Sequence, residues 1–485
     1  MNNYKFRIIY GEYQGLEKKA IDFVSRGVSE YINYALPATK ADKVTDDLLK
    51  ETNLIIVGTP ESNPILKKLS DDGMYKNADK EEGFSIKVTK SAFDETAQMI
   101  IISGFDPHGV LYGAAEFSQC FIGDTEVTHV NMFFFRNGFT TGEFAEYEYI
   151  SSPSIKQRGL WTWGHVIYDY RKYIRNMAQL KMNTLIVWND FVPINIEDII
   201  KEAHDYGIKI YLGFSWGWNE ARKENGGLDI SNEETLTKIQ DIIISKFTND
   251  YAHLDIDGIY FQSFTETAND SINNVVIAER VVKLVNQTAE ALYKVKPDLF
   301  LMFGLHATSV LEKLEYIQKT DNRIMIVWED CGAFPYNYIP EKIEGYRETS
   351  ELTEKIAVLR GKDDNFGVVT KGLICLDWST FKHIRDRFVM GEQSERFIKN
   401  RLVEKKKFWN YINSHWLNNA DYAYDMVKLL KNSNENTLVT ALVEDGMFEE
   451  QIFFATALYA EMLWDTDKTS KELIRKVSIR KDVEF

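Results

Sequence analysis

Tryptophans, carboxylates and amides recur where apolar runs end in the second two-thirds of this 485-residue chain. One run holds Arg158 and closes with Trp161 and Trp163. The next two close with Trp188, Asn189 and Asp190, and with Trp216, Trp218 and Asn219. Gln262, Thr265 and Glu266 follow, then His306, then Trp328, Glu329 and Asp330, then Asp377 and Trp378, and last Glu444 and Asp445. Indole faces suit the apolar C–H faces of a pyranose ring, while Asp, Glu, Asn and Arg suit its hydroxyl edges. Breaking a glycosidic bond takes two carboxyl groups flanking it, about 5–5.5 Å apart for retention and roughly 6.5–9.5 Å apart for inversion. Glu266 is the candidate acid, because apolar neighbours such as Phe264 raise a carboxyl pKa. Glu329, Asp330 and Asp377 are the candidates for its partner, acting as base or nucleophile.

Each residue also has a plainer reading. A carboxylate after a strand caps the next helix equally well, which suits Asp190 and Asp445, and Thr265-Glu266-Thr267 also reads as a helix start. His306 reads more often as a satisfied histidine than as a base. Single tryptophans usually belong to a core, but a whole set at one rim does not fit a barrel interior of branched aliphatics. Arg158 lies within an apolar run and needs a partner there. An internal ion pair and a substrate hydroxyl or carboxylate account for it equally. The three cysteines, Cys120, Cys331 and Cys375, lack CxxC spacing and no HExxH is present, so neither a disulfide framework nor a metal or other cofactor is expected.

What must position these residues is a regular alternation of strands and helices from residue 154 onward, which predicts parallel strands with crossover helices. The eight strand candidates are Gln157–Trp163, Thr184–Asn189, Lys209–Trp216, Gly258–Phe264, Leu299–Leu305, Ile324–Trp328, Val368–Leu376 and Leu438–Val443. They are continuous apolar runs, as strands buried on both faces should be. Eight units predict an α/β fold, a (β/α)8 TIM barrel whose site lies at the C-terminal ends of the strands. An open doubly wound sheet would call for a Gly-rich phosphate loop after its first strand, and none is present. Before the barrel, residues 1–150 read as a small α/β domain. Its strands are Phe6–Tyr10, Asn53–Gly58, Gly83–Thr89 and Met99–Ser103, and its helices Leu16–Ile32 and Val110–Cys120, with residues 141–153 as a connection. Residues 151–485 form the barrel and its helical C-terminal region, with a helical insertion near 381–436.

Lysine and arginine total 57 against 73 for aspartate and glutamate, a net charge of −16. That balance repels nucleic acid and anionic membranes. No run approaches about 18 apolar residues, so no membrane span is expected. The opening MNNYKFRIIYGEYQG lacks a signal-peptide pattern, which implies a cytoplasmic protein. A homo-oligomer is compatible with these features.

Several motifs resemble a known group. Gly83–Val88, Met99–Gly104 and the Gly109-x-x-Tyr112-Gly113 helix start resemble the small domain that precedes the barrel in β-hexosaminidases and α-glucuronidases. Gln157-Arg158-Gly159-Leu160 is similar to the Arg-Gly first strand of the same families, whose arginine binds sugar hydroxyls. That resemblance implies this role for Arg158. Hexosaminidases end the fourth strand in Asp-Glu, whereas Thr265 precedes Glu266 here, so acetamide-assisted hydrolysis is not implied. The α-glucuronidases carry a small polar residue before that Glu, which matches better and makes Glu266 the acid. The run Phe453–Ile474 also resembles the aromatic-rich C-terminal helix of the α-glucuronidases, without their long helical domain. The resemblance implies an exo-acting glycosidase on short oligosaccharides or glycosides. The competing expectations are a catalytically silent carbohydrate-binding barrel and a metal-dependent lyase or isomerase.

Overall fold

The computed structural model describes residues 4–120, 146–221, 228–264, 269–306, 310, 312–330, 345–375, 384, 386–445 and 449–484. Short β-branched runs make the first layer: β1 (Phe6–Tyr10), β2 (Ala38–Lys40), β3 (Asn53–Gly58), β4 (Phe84–Lys90), β5 (Gln98–Gly104) and β6 (Tyr147–Ser151). They pair in the order β2-β1-β3-β5-β4-β6, parallel from β2 to β5 and antiparallel at β4 and β6. Two of these strands were not expected from the sequence. β2 is only three residues long, and β6 reads Tyr-Glu-Tyr-Ile-Ser, an edge strand with no apolar run to announce it.

The eight expected barrel strands are present, shifted by a few residues at their ends. They are β7 (Gln157–Trp163), β8 (Thr184–Trp188), β9 (Lys209–Ser215) and β10 (Gly258–Gln262), followed by the hairpin β11 (Ser271–Ile272) and β12 (Val275–Val276). The barrel continues with β13 (Leu301–His306), β14 (Ile324–Glu329), β15 (Asn365–Leu373) and β16 (Asn436–Val443), and β17 (Ile452–Phe453) pairs with β18 (Val483–Glu484). All eight close in parallel in the order β10-β13-β14-β15-β16-β7-β8-β9, an α/β (β/α)8 TIM barrel. Two long helices, Glu395–Asn418 and Ala420–Ser433, stand between β15 and β16 where a helical insertion was expected.

Inside each strand, side chains alternate between the barrel interior and the outer helical layer. In β14, Met325 and Val327 join the inner cluster, while Ile324, Ile326 and Trp328 join the outer one. The inner cluster also takes Ile186, Tyr211, Tyr260, Met302, Val369, Leu438 and Leu442. The outer cluster runs without a break into the first sheet through Phe84, Tyr112, Tyr149 and Trp464. Helix starts are fixed by local caps: Asp169 accepts from the Lys172 N–H, Asn232 from Glu234 and Ser394 from Phe397. Among the described residues no helix is long and apolar enough to cross a membrane.

Candidate active site at the barrel mouth

The interior face of the barrel ends at its C-terminal rim in aromatic and polar side chains. Trp161 and Trp163 come from β7, Trp188 from β8, Tyr260 and Gln262 from β10, His306 from β13, Glu329 from β14 and Lys371 from β15. Ring centroids of Trp161 lie 5.2 Å from Trp163, 6.2 Å from Trp188 and 5.9 Å from Tyr260. These four rings make one apolar wall.

Glu329 faces the wall. Its Oε1 accepts the Tyr260 hydroxyl at 2.5 Å and the Gln262 side-chain amide, and its Oε2 pairs with Lys371 Nζ at 3.2 Å. Burial alone would raise the Glu329 pKa, but Lys371, His306 and these hydrogen bonds outweigh it and hold the carboxyl below its usual range. Burial and the Lys371 charge in turn push the His306 pKa down to about 4, against the pull of Glu329. Glu329 is therefore ionised and His306 neutral at pH 7. Gly304 makes room for this arrangement, since a Cβ there would lie 2.1 Å from the Tyr260 hydroxyl oxygen.

Several expected site residues do not reach the mouth. Trp216 and Trp328 fall on the other parity of their strands, so both point outward and are fully buried. Trp216 stacks on Phe261 with centroids 3.6 Å apart, and the Trp328 indole donates to Thr353 Oγ1 at 3.0 Å. Asp330, one residue beyond Glu329, turns the other way, and its Oδ1 accepts the Lys371 N–H at 3.3 Å.

Arg158 sits near the start of β7, at the opposite end of the strand from the mouth. It pairs with Glu82 at 2.7 Å, donates to the carbonyls of Ile155 and Lys156, and lies over the rings of Tyr112 and Trp464. Its partners lie within the protein, so the sugar-binding role implied by resemblance is replaced by a structural one.

Asn189 is retained at the rim. It is buried, and its Nδ2 has no hydrogen-bond partner among the described residues. Asn219 is half-buried in the short helix Trp218–Ala221. Glu266, Asp377 and Trp378, and the side chain of Trp218, lie outside the described residues. Gln262, four residues before Glu266, is in contact with Glu329.

Glu444 and Asp445, at the end of β16, are held by Lys405 at 2.8 and 2.9 Å. Arg401 and the Tyr168 hydroxyl also bind Asp445. Tyr260 and Lys371 were missed in the sequence although a signal was present. A lysine inside the apolar run of β15 needs an anionic partner as much as Arg158 does. Among the described residues no group of three or more His, Cys, Asp or Glu could hold a metal ion.

No protein-family model and no curated protein sequence matches the chain. Solved structures do. A GH138 enzyme targeting pectin rhamnogalacturonan II superposes with a TM-score of 0.52 at 10% identity, over 96% of this chain and 64% of that one. The chain has a glycoside hydrolase-like fold. A family 89 glycoside hydrolase from Clostridium perfringens, in complex with GlcNAc-alpha-1,4-galactose, gives 0.44 at 9% identity over 95% of this chain. The chain spans half the length of that second protein.

Proposed function

We propose that the chain is a glycoside hydrolase acting in exo fashion on short oligosaccharides. Glu266 is its general acid and Glu329 the partner that acts as base or nucleophile. The observation that carries this reading is Glu329, an ionised carboxylate in the mouth of the barrel beside the wall of Trp161, Trp163 and Trp188. A base or nucleophile must be ionised at working pH, and the Lys371 ammonium supplies that condition. The wall suits the C–H face of a pyranose, and Asn189 offers a donor to a hydroxyl edge. Glu266 comes four residues after Gln262 in sequence, and Gln262 touches Glu329, which supports a pair of carboxyl groups across the scissile bond. Asp377 is the alternative partner.

The test is turnover of a panel of 4-nitrophenyl glycosides. Glu329→Gln and Glu266→Gln are each expected to lower kcat by about 10²–10⁴-fold. Unchanged turnover in Glu266→Gln rules out that acid, and unchanged turnover in Glu329→Gln moves the partner to Asp377. The close ion pair of Glu329 with Lys371 also favours a second reading, a barrel that binds sugar without cleaving it. Sugar binding with no turnover of any glycoside would establish that reading instead.

A further inference from the structure

Between the domain that precedes the barrel and the helices around the barrel lies a cavity of about 250 Å³. Four cations line it, in a chain whose net charge is −16. Arg26 comes from the last turn of the helix Gly15–Ser29. Arg171, Lys172 and Arg175 come from the helix Tyr170–Gln179, and Tyr206 follows the helix Ile196–Asp205.

The carboxylates around the cavity already have cations beside them. Glu392 pairs with Arg171 at 2.8 Å, and Asp169 lies 3.8 Å from Lys172 Nζ. Glu202 lies 3.8 Å from Lys19 Nζ. Arg26 and Arg175 are left over, with no ion-pair partner among the described residues. Arg175 reaches only the amide oxygen of its neighbour Asn176, at 3.4 Å. Both guanidinium groups act on one atom, the Tyr206 hydroxyl. Burial pushes the Tyr206 pKa up to about 12 and Glu202 adds to that, while Arg175 and Arg26 pull against it. The hydroxyl therefore keeps its proton at pH 7 and has no hydrogen-bond partner among the described residues. Its ring is buried and fixed, with Phe23 6.2 Å away and Lys19 Nζ 4.0 Å above it. Two like charges on one cavity repel unless an anion stands between them.

We propose that this cavity binds a tetrahedral oxyanion, phosphate or sulfate, between Arg26 and Arg175, with the Tyr206 hydroxyl as a third donor. Donors brought by three helices suit a group whose oxygens diverge, whereas one guanidinium fork satisfies a planar carboxylate. The volume is several times the ~30 Å³ of a water, so the oxyanion fits either as a free ion or as the end of an ester. The site is separate from the mouth of the barrel and does not depend on the glycosidase reading. An anion bound there ties the helix Gly15–Ser29 to the barrel helices.

The test is calorimetry and thermal melting of the full chain at constant ionic strength, with inorganic phosphate, sulfate, acetate and glucose 6-phosphate as probes. Phosphate or sulfate is expected to bind at one saturable site and to raise the melting temperature. Arg26→Gln and Arg175→Gln are each expected to weaken that binding about tenfold or more. Arg347→Gln, on the helix Gly345–Ala357, should leave it unchanged. Without ligand neither cavity variant should melt below wild type, because each removes a repulsion; a lower melting temperature in both would make the arginines structural and overturn the site. Absence of saturable phosphate and sulfate binding, or binding that survives both variants, also overturns it. Acetate bound as tightly as phosphate and sulfate overturns the tetrahedral class. Tighter binding of glucose 6-phosphate than of inorganic phosphate assigns the site to an ester, and the reverse order to the free ion.

Discussion

At the scale of single residues, the mouth is governed by one cation. Lys371 holds Glu329 ionised and helps to keep His306 neutral. In Lys371→Met, burial is left to dominate at Glu329, so its pKa should rise. The acidic limb of the pH–turnover profile is expected to move to higher pH, with lower kcat at neutral pH. A limb that stays in place would show that Lys371 does not set the charge of Glu329. His306 leaves a second signature. Its pKa is depressed in the folded protein, so the unfolded chain takes up the proton first as pH falls. The contribution of this group is constant above the unfolded value near 6.5, and stability declines from there down to about pH 4, where the folded histidine titrates. The slope from one such group is at most about 1.4 kcal/mol per pH unit. Urea unfolding of wild type and His306→Asn at pH 7 and pH 5 should show a smaller pH-dependent loss in the variant.

At the scale of elements, alternation decides what a strand end can do. The eight runs, their order and the rim they share were legible in the sequence, because strands buried on both faces read as unbroken apolar stretches. The facing of individual side chains was not taken from those runs. Counting by twos from Trp161 and Trp163 keeps both in the interior, whereas the same count in β9 and β14 sends Trp216 and Trp328 to the helices and keeps Glu329 inside. Arg158 carried a true signal, the need for a partner. That partner, Glu82, lies before β4 and far away in sequence, where no local pattern points to it. The paired hydrogen bonds between the Asn195 side chain and the Met390 backbone were equally hidden, since they join segments 195 residues apart. One element-level prediction concerns the gap at Gly304. Gly304→Ala should push the Tyr260 ring off Glu329, destabilising the fold by about 1–3 kcal/mol and lowering kcat as well. Thermal melting and turnover together check it, and a stable variant with unchanged kcat would mean that the tyrosine has room to move.

At the scale of the whole molecule, the first sheet and the barrel are joined through buried charge. Glu116, from the helix Pro107–Cys120, meets Lys181 at 2.9 Å and Lys476 at 2.9 Å. Glu461, from the helix Phe454–Trp464, meets Lys181 at 2.5 Å, Lys476 at 2.9 Å and Arg480 at 3.5 Å. All five side chains are essentially shut off from water. Burial acts to raise both glutamates, yet the surrounding cations hold them below the usual carboxylate range. Their contribution to stability is therefore complete above the unfolded value near 4.5 and is lost as pH falls through the depressed folded values. Glu461→Gln leaves three buried cations with one carboxylate fewer and is expected to destabilise the protein by about 3–5 kcal/mol at pH 7. The difference from wild type should narrow in acid, and denaturant unfolding at pH 7 and pH 3 measures both. A difference of the same size at the two values would mean that the network does not depend on the ionised glutamate.

The aromatic wall has an optical consequence. Trp216, Trp328, Trp409, Trp416 and Trp464 are all sealed in packed layers, whereas Trp161, Trp163 and Trp188 sit together at the opening with rings close enough to couple. Among the described indoles, only this trio stands where an incoming solute can alter its surroundings. Emission and near-ultraviolet dichroism should therefore carry a component that responds to occupancy of the mouth without any label or any turnover. The protein contains its own reporter, and it reads the place where the chemistry is proposed to occur.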